Sequence, residues 1–239
     1  MVTSRRVGLV GNGWVLAGGV LYLLEFVAII WGSLSGVGTQ TVRGSPTTEV
    51  MATYVGNADV VYAMAGWFAV VLLGRVLLFI GLRRALVDSG HRHPLLDFAV
   101  AASALSVTLE IAAYGLAATA AAPADAGGET LAMLMDQAGA GLGLMLAGGL
   151  GIAILCATYV MWRSGLFSRT LNLLGAISST GLIVAQLVVA PSLQPVFEIL
   201  SYSPFVFWVW MLWAGIVCLR ARPAPSGVPF REPEAEAAS

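Results

Sequence analysis

Six apolar stretches follow one another along the chain, each near or above the roughly 20 residues a helix needs to cross a bilayer. They run over Trp14–Leu34, Val60–Leu82, Leu95–Ala121, Leu131–Trp162, Leu171–Ala190 and Pro204–Leu219. Lipid cannot satisfy backbone N–H and C=O groups, so each stretch must close its own hydrogen bonds as a helix. The expected fold is all-α, a polytopic transmembrane bundle of six helices. Of the 239 residues, 58% are hydrophobic and 10% charged, against roughly 25% charged in a soluble domain. A globular core of this length cannot hide that much apolar surface, so the bilayer acts as solvent. The fourth stretch exceeds the bilayer's need, and its first turns, with Asp136 and Gln137, belong at headgroup level or in a tilted helix.

Arg5 and Arg6 precede the first stretch, which is too long for a signal-peptide core and lacks a clear small-residue cleavage site. It reads as a span. Arginine placement then sets orientation. Arg5, Arg6, Arg83, Arg84, Arg92, Arg163, Arg169, Arg220, Arg222 and Arg231 fall on one side, and Arg43 alone on the other. By the positive-inside bias both termini face the cytoplasm of a cell membrane. Residues 1–222 form one membrane domain. Residues 223–239, rich in Pro, Ala and Glu, form a disordered cytoplasmic tail.

The first outer connection carries a helix start, Ser45-Pro46 with Glu49, then Val50, Met51, Tyr54 and Val55 at helical spacing, ended by Gly56-Asn57. A short amphipathic helix on the outer surface is expected. Pro195–Tyr202 either forms a second one or extends the sixth helix with a kink at Pro204.

Three ionisable residues lie deep inside the spans, away from their ends: Glu25, Arg75 and Glu110. Such groups are costly in lipid and have a partner or a task. Helix rise puts Glu25 about 17 Å and Glu110 about 20 Å from the inner boundary, and Arg75 about 12 Å. Side chains lean toward their helix N-terminus, and the second span runs opposite to the first and third, so the three heads approach one another near mid-bilayer. One reading is a packing clamp. The other rests on charge: two carboxylates share one guanidinium, which leaves one carboxyl as a proton carrier or general acid, with Glu110 and Glu25 the catalytic candidates.

Ser103, Ser106, Glu110 and Tyr114 share one face of the third span. Gln186, Asp136, Gln137 and Glu198 add polar groups toward the outer side, which suggests a polar cavity opening outward. The ligand-binding candidates are Glu25, Arg75, Ser106, Glu110, Tyr114, Asp136, Gln137 and Gln186. Gly139, Gly141, Gly143, Gly148, Gly149 and Gly151 on the fourth span are read as close helix contacts, with a ligand slot or flexible gate as the alternative. Phe205, Phe207, Trp208, Trp210 and Trp213 are read as lipid contacts and interfacial anchors.

Several chemistries are excluded. All 12 basic residues are arginine, so no lysine is present for a retinal or pyridoxal Schiff base. There is no concentrated basic face for a nucleic acid. Cys156 and Cys218 sit in apolar runs as small core residues, and His91 and His93 share a loop, so no metal or haem pattern appears and no cofactor is expected.

The segment Met161-Trp162-Arg163-Ser164-Gly165-Leu166, followed by Arg169, Leu171 and Leu174-Gly175, resembles the arginine-serine loop of the domain of unknown function 4386 family, a group of uncharacterised bacterial membrane proteins. Gly19-Val20-Leu21-Tyr22-Leu23-Leu24, the segment ending near Asn57, Leu82-Arg83-Arg84 and Glu110 are similar to its pattern, over roughly residues 10–220. In that pattern an arginine stands three positions before the third-span glutamate. Here that place is Val107, so a cation must come from elsewhere, with Arg75 the candidate, or Glu110 stays unpaired.

Three functions remain in view. The first is binding or moving a small amphipathic solute, with or without a proton. The second is an embedded acid/base enzyme, such as a cyclase or isomerase, on a lipid or isoprenoid. The third is an accessory subunit or sensor of another membrane complex. The expected partners are membrane lipid, a small amphipathic or isoprenoid ligand, and a second copy or partner subunit, with no nucleic acid.

Overall fold

The computed structural model describes residues 9–37 and 45–221. The proposed tail and Arg5, Arg6, Arg43, Arg222 and Arg231 lie outside the described residues. Among the described residues the chain is α-helical: α1 (Trp14–Leu23), α2 (Glu25–Leu34), α3 (Thr47–Tyr54), α4 (Ala58–Val71), α5 (Leu73–Asp88), α6 (Pro94–Asp125), α7 (Glu129–Ser164), α8 (Arg169–Leu187), α9 (Gln194–Leu200) and α10 (Ser203–Arg220). Together α1–α2, α4–α5, α6, α7, α8 and α9–α10 make six helical units long and apolar enough to cross a membrane. Exposed Leu, Ile, Val and Trp side chains along them face outward, as a lipid-facing surface requires.

Local sequence explains the ends. Pro94 opens α6 where a missing N–H costs nothing, and His93 Nδ1 accepts from Leu95 N at 3.2 Å. Ser168 Oγ accepts from Leu171 N at 3.2 Å to start α8. Gly165 ends α7 in the left-handed region at φ 66°, which glycine adopts freely. Asn12 closes the entry to α1: its side chain accepts from Trp14 N and donates to Gly81 O on α5, while its N–H meets Cys218 O on α10. The start of α1 and the end of α10 therefore share one end of the bundle. Arg92 in the α5–α6 connection and the helix ends bearing Arg83, Arg84, Arg163, Arg169 and Arg220 share it too, and we call it the arginine end. The opposite end carries α3 and α9.

Three details differ from the expected spans. The fifth helix stops at Leu187 rather than Ala190, followed by a 3-10 turn over Pro191–Leu193. The segment before Pro204 continues the sixth unit, with a break at Ser201–Tyr202 that precedes the proline. The amphipathic α3 buries Val50 and Tyr54 against the ends of α6 and α7 instead of lying only on a bilayer surface.

The first two spans are each interrupted near mid-length with no proline. At Leu24, N–H is shared between Val20 O and Leu21 O, and its carbonyl accepts from the Trp67 indole at 2.8 Å. At Leu72 the ladder tightens, with Arg75 N donating to Leu72 O at 3.1 Å. Such mid-helix tightening relaxes the i→i−4 ladder locally.

Candidate functional site

Glycine places the charged residues. A Cβ at Gly74 of α5 would lie 2.5 Å from Gly18 O and from Tyr22 N of α1, and one at Gly81 would lie 2.7 Å from Val15 N. Only hydrogen fits, so the two backbones touch. Gly215 brings α10 equally close, since its Cβ would meet Leu16 Cα at 2.9 Å. The next residue after Gly74 is Arg75, which this seam sets beside Tyr22. The Arg75 guanidinium carbon sits 5.1 Å from the Tyr22 ring centroid, a cation–π contact.

Arg75 Nη2 donates to Glu110 Oε2 of α6, and both residues are buried, at 1% and 8% exposure. The cation absent at Val107 is thus supplied across the helix interface by α5. Glu25 is buried as well, at 5%, at the first position of α2. It lies within Coulombic reach of Arg75 and Glu110 and beside Tyr22. Among the described residues it forms no ion pair within 4.0 Å. The two carboxylates share one electrostatic neighbourhood, but only Glu110 holds the arginine. Arg75 Nε, also buried, has no hydrogen-bond acceptor among the described residues.

Tyr114, one turn from Glu110, interacts electrostatically with this cluster and stacks on Phe68 of α4, with centroids 4.0 Å apart and planes 11° from parallel. Ser106 spends its hydroxyl on Leu146 O of α7 at 3.0 Å, where Gly149 abuts it. Ser103 is buried and has no partner among the described residues.

The other polar candidates lie elsewhere. Gly139 of α7 faces Ala113 O of α6, with its Cβ position 2.8 Å away. From that level Glu110 is three residues toward the arginine end and Asp136 three toward the far end, about 9 Å apart along the axes. Asp136, at 3% exposure, accepts from Tyr54 of α3 at 2.7 Å and from Gln137 Nε2 at 3.1 Å. Burial and the facing carboxylate push the Tyr54 hydroxyl above the usual tyrosine range. A groove of about 370 Å³ next to Gln137 is lined by Thr47, Glu129, Thr130, Met133 and Leu134. Gln186, in the last turn of α8, accepts from Gly148 N at 3.3 Å. Gly148 is 12 residues, about 18 Å, along α7 from Asp136. Glu198 pairs with Gln194 of α9.

Most of the fourth-span glycines are contact points. Gly139 and Gly149 meet α6, and Gly148 and Gly151 meet α8, whereas Gly141 faces open space. The aromatic run on α10 is not one lipid-facing band. Phe207 and Trp210 are fully buried, and Phe207 tilts against Tyr22 at 6.0 Å. Trp208 stands edge-on to Phe26 at 4.7 Å. Sequence reasoning missed Tyr22 as a ring beneath Arg75 and Tyr54 as the donor to Asp136. For Tyr22 a signal existed in its three-residue spacing from Glu25, which puts both on one helix face. Among the described residues no three His, Cys, Asp or Glu side chains converge to hold a metal ion.

A sequence profile described as a domain of unknown function (DUF4386) matches residues 17–215. No curated protein and no solved structure matches the chain. The matched region runs from α1 into α10 and includes Glu25, Arg75 and Glu110, so this six-span integral membrane protein belongs to the DUF4386 family.

Proposed function

We propose that this integral membrane protein binds or carries a small amphipathic solute within the bilayer, with a proton exchanged at Glu25. The observation that carries the reading is the charge balance around Arg75. Glu110 takes the guanidinium, while Glu25 is buried nearby without a cation inside 4.0 Å among the described residues. An isolated buried charge costs several kcal/mol, so the cluster rests when one carboxyl carries a proton. Loading or losing that proton changes the charge of the site by one and couples it to whatever binds there.

Two further features support a solute. Arg75 Nε offers a donor with no acceptor among the described residues, which suits a hydroxyl, carbonyl or carboxylate oxygen on the ligand. Phe68, Tyr114, Phe26 and Trp208 supply aromatic surface on the neighbouring helices for an apolar remainder. The interruption at Leu24 immediately precedes Glu25, and the one at Leu72 lies three residues before Arg75. Broken helices at mid-membrane form substrate sites in many carriers.

The test compares what copurifies with wild-type protein, Glu25→Gln and Glu110→Gln, using mass spectrometry of extracts. A defined lipid-soluble metabolite with a polar end group is expected in the wild type and lost in Glu110→Gln. Adding that metabolite to lightly buffered wild-type protein should shift the proton count, and Glu25→Gln should abolish the shift. Equal metabolite occupancy in all three folded proteins overturns the proposal.

The reading includes an orientation. Arg83, Arg84, Arg92, Arg163, Arg169 and Arg220 put the arginine end at the cytoplasmic face, with both termini there. Alkaline phosphatase fused after Ala221 should be inactive and a fluorescent protein fused there bright. The reverse pattern inverts the assignment.

A further inference from the structure

At the arginine end a cavity of about 540 Å³ opens between α5 and α6, lined by Arg83, Val87, Arg92, His93, Pro94 and Asp97. This volume is within the usual range for small-molecule sites. Its charges do not cancel. Arg83 Nε donates to Asp97 Oδ1, which leaves the outer nitrogens of that guanidinium for another acceptor. Arg92 forms no ion pair among the described residues. His93 Nδ1 accepts the Leu95 N–H, so Nε2 carries the ring proton and donates. Two guanidinium groups against one carboxylate leave a surplus positive charge, and every uncommitted polar side-chain group of Arg83, Arg92 and His93 is a donor.

We propose that this cavity binds a phosphate group, presented by an anionic phospholipid. Planar guanidinium groups match phosphate oxygens in bidentate geometry. The position suits a lipid. Arg83 lies eight residues, about 12 Å, along the second span from the buried Arg75. Ile80 on α5 and Phe98 on α6, each within one turn of the cavity residues on the membrane side, are exposed and apolar, which fits acyl chains below the headgroup. Basic pockets between spanning helices hold anionic headgroups in this way. The site is distinct from the Arg75–Glu110 cluster and does not depend on the function proposed for it.

Native mass spectrometry of the full-length protein, offered phosphatidylglycerol or phosphatidylcholine, tests this. Wild type should retain phosphatidylglycerol over phosphatidylcholine. Arg92→Gln should lower that retention about fivefold, the effect of one interfacial arginine, and Arg83→Gln/Arg92→Gln should lower it further. Arg169→Gln, at the same end but outside the cavity, should leave it unchanged. Soluble glycerol 1-phosphate should compete only weakly. Strong competition would retain the phosphate chemistry and overturn the lipid as its source. Unchanged retention in folded Arg92→Gln and in the double variant, or an equal loss in Arg169→Gln, overturns the site.

Discussion

Arg75 and Glu110 stand 35 positions apart in the chain and meet between α5 and α6, where Nη2 of one donates to Oε2 of the other with almost no solvent access. The pair spans a helix interface, so it couples the second and third membrane spans as well as neutralising a carboxylate. It also leaves Glu25, from the first span, close by without a cation of its own among the described residues.

Breaking that pair on one side should be costly. Arg75→Gln leaves Glu110 buried and uncompensated, and a loss of about 3–5 kcal/mol is expected. Arg75→Met/Glu110→Leu should recover most of it, because apolar side chains of similar volume need no solvation. Thermal unfolding in detergent, followed by tryptophan fluorescence, reads both. A double variant as unstable as the single one would show that the charge balance is not what matters.

Glu25→Gln should behave differently. It keeps the Arg75–Glu110 pair, the side-chain volume and a neutral polar head, so the unfolding midpoint should move by no more than about 1 kcal/mol equivalent. A loss as large as that of Arg75→Gln would assign Glu25 a structural role instead.

The glycine seam predicts a contrast within one residue type. Gly74→Val drives a branched side chain into Gly18 O and Tyr22 N, and overpacking against backbone should cost about 3 kcal/mol or more. Gly141→Ala meets nothing within 4 Å and should be neutral or stabilising by up to about 1 kcal/mol. Unfolding midpoints of the two variants check this, and similar values would contradict the close α1–α5 approach.

Tyr54→Phe removes the donor to a buried carboxylate and should cost about 1–3 kcal/mol. The local sign is a faster exchange of the α3 backbone amides by hydrogen–deuterium mass spectrometry. The hydroxyl titrates higher in the folded state than in an unfolded chain, where it titrates near 10. Its contribution is therefore complete below about pH 10 and is lost as pH rises above it. Tyr54→Phe should remove that alkaline slope, and an unchanged slope would assign it to another group.

Apolar run length made the six spans readable, because a helix in lipid has one solution for its backbone and the length is set by the bilayer. The span over Trp14–Leu34 is found at the expected bounds. Breaks at Leu24 and Leu72 were not readable, since neither position carries proline. They arise where Trp67 takes a carbonyl and where the backbones of α1 and α5 touch at Gly18 and Gly74. Among the candidate site residues, the cost of charge in lipid singles out Glu25, Arg75 and Glu110 from sequence alone. Position toward the outer side grouped Gln186 with Asp136 and Gln137, and there helix register decides: Gln186 is level with Gly148, about 18 Å along α7 from Asp136.

By itself the sequence determined that this chain is an integral membrane bundle of six spans, and that three ionisable groups inside those spans need an explanation. Both follow from the free energy of solvation in lipid, which composition and run length carry directly. Only the tertiary structure decided which carboxylate holds Arg75, that Tyr22 lies beneath the guanidinium, and that Asp136 belongs with Tyr54. Those outcomes depend on how closely two helix backbones can approach and at what rotation. That geometry is set by glycine contacts between segments far apart in the chain, which no local pattern encodes.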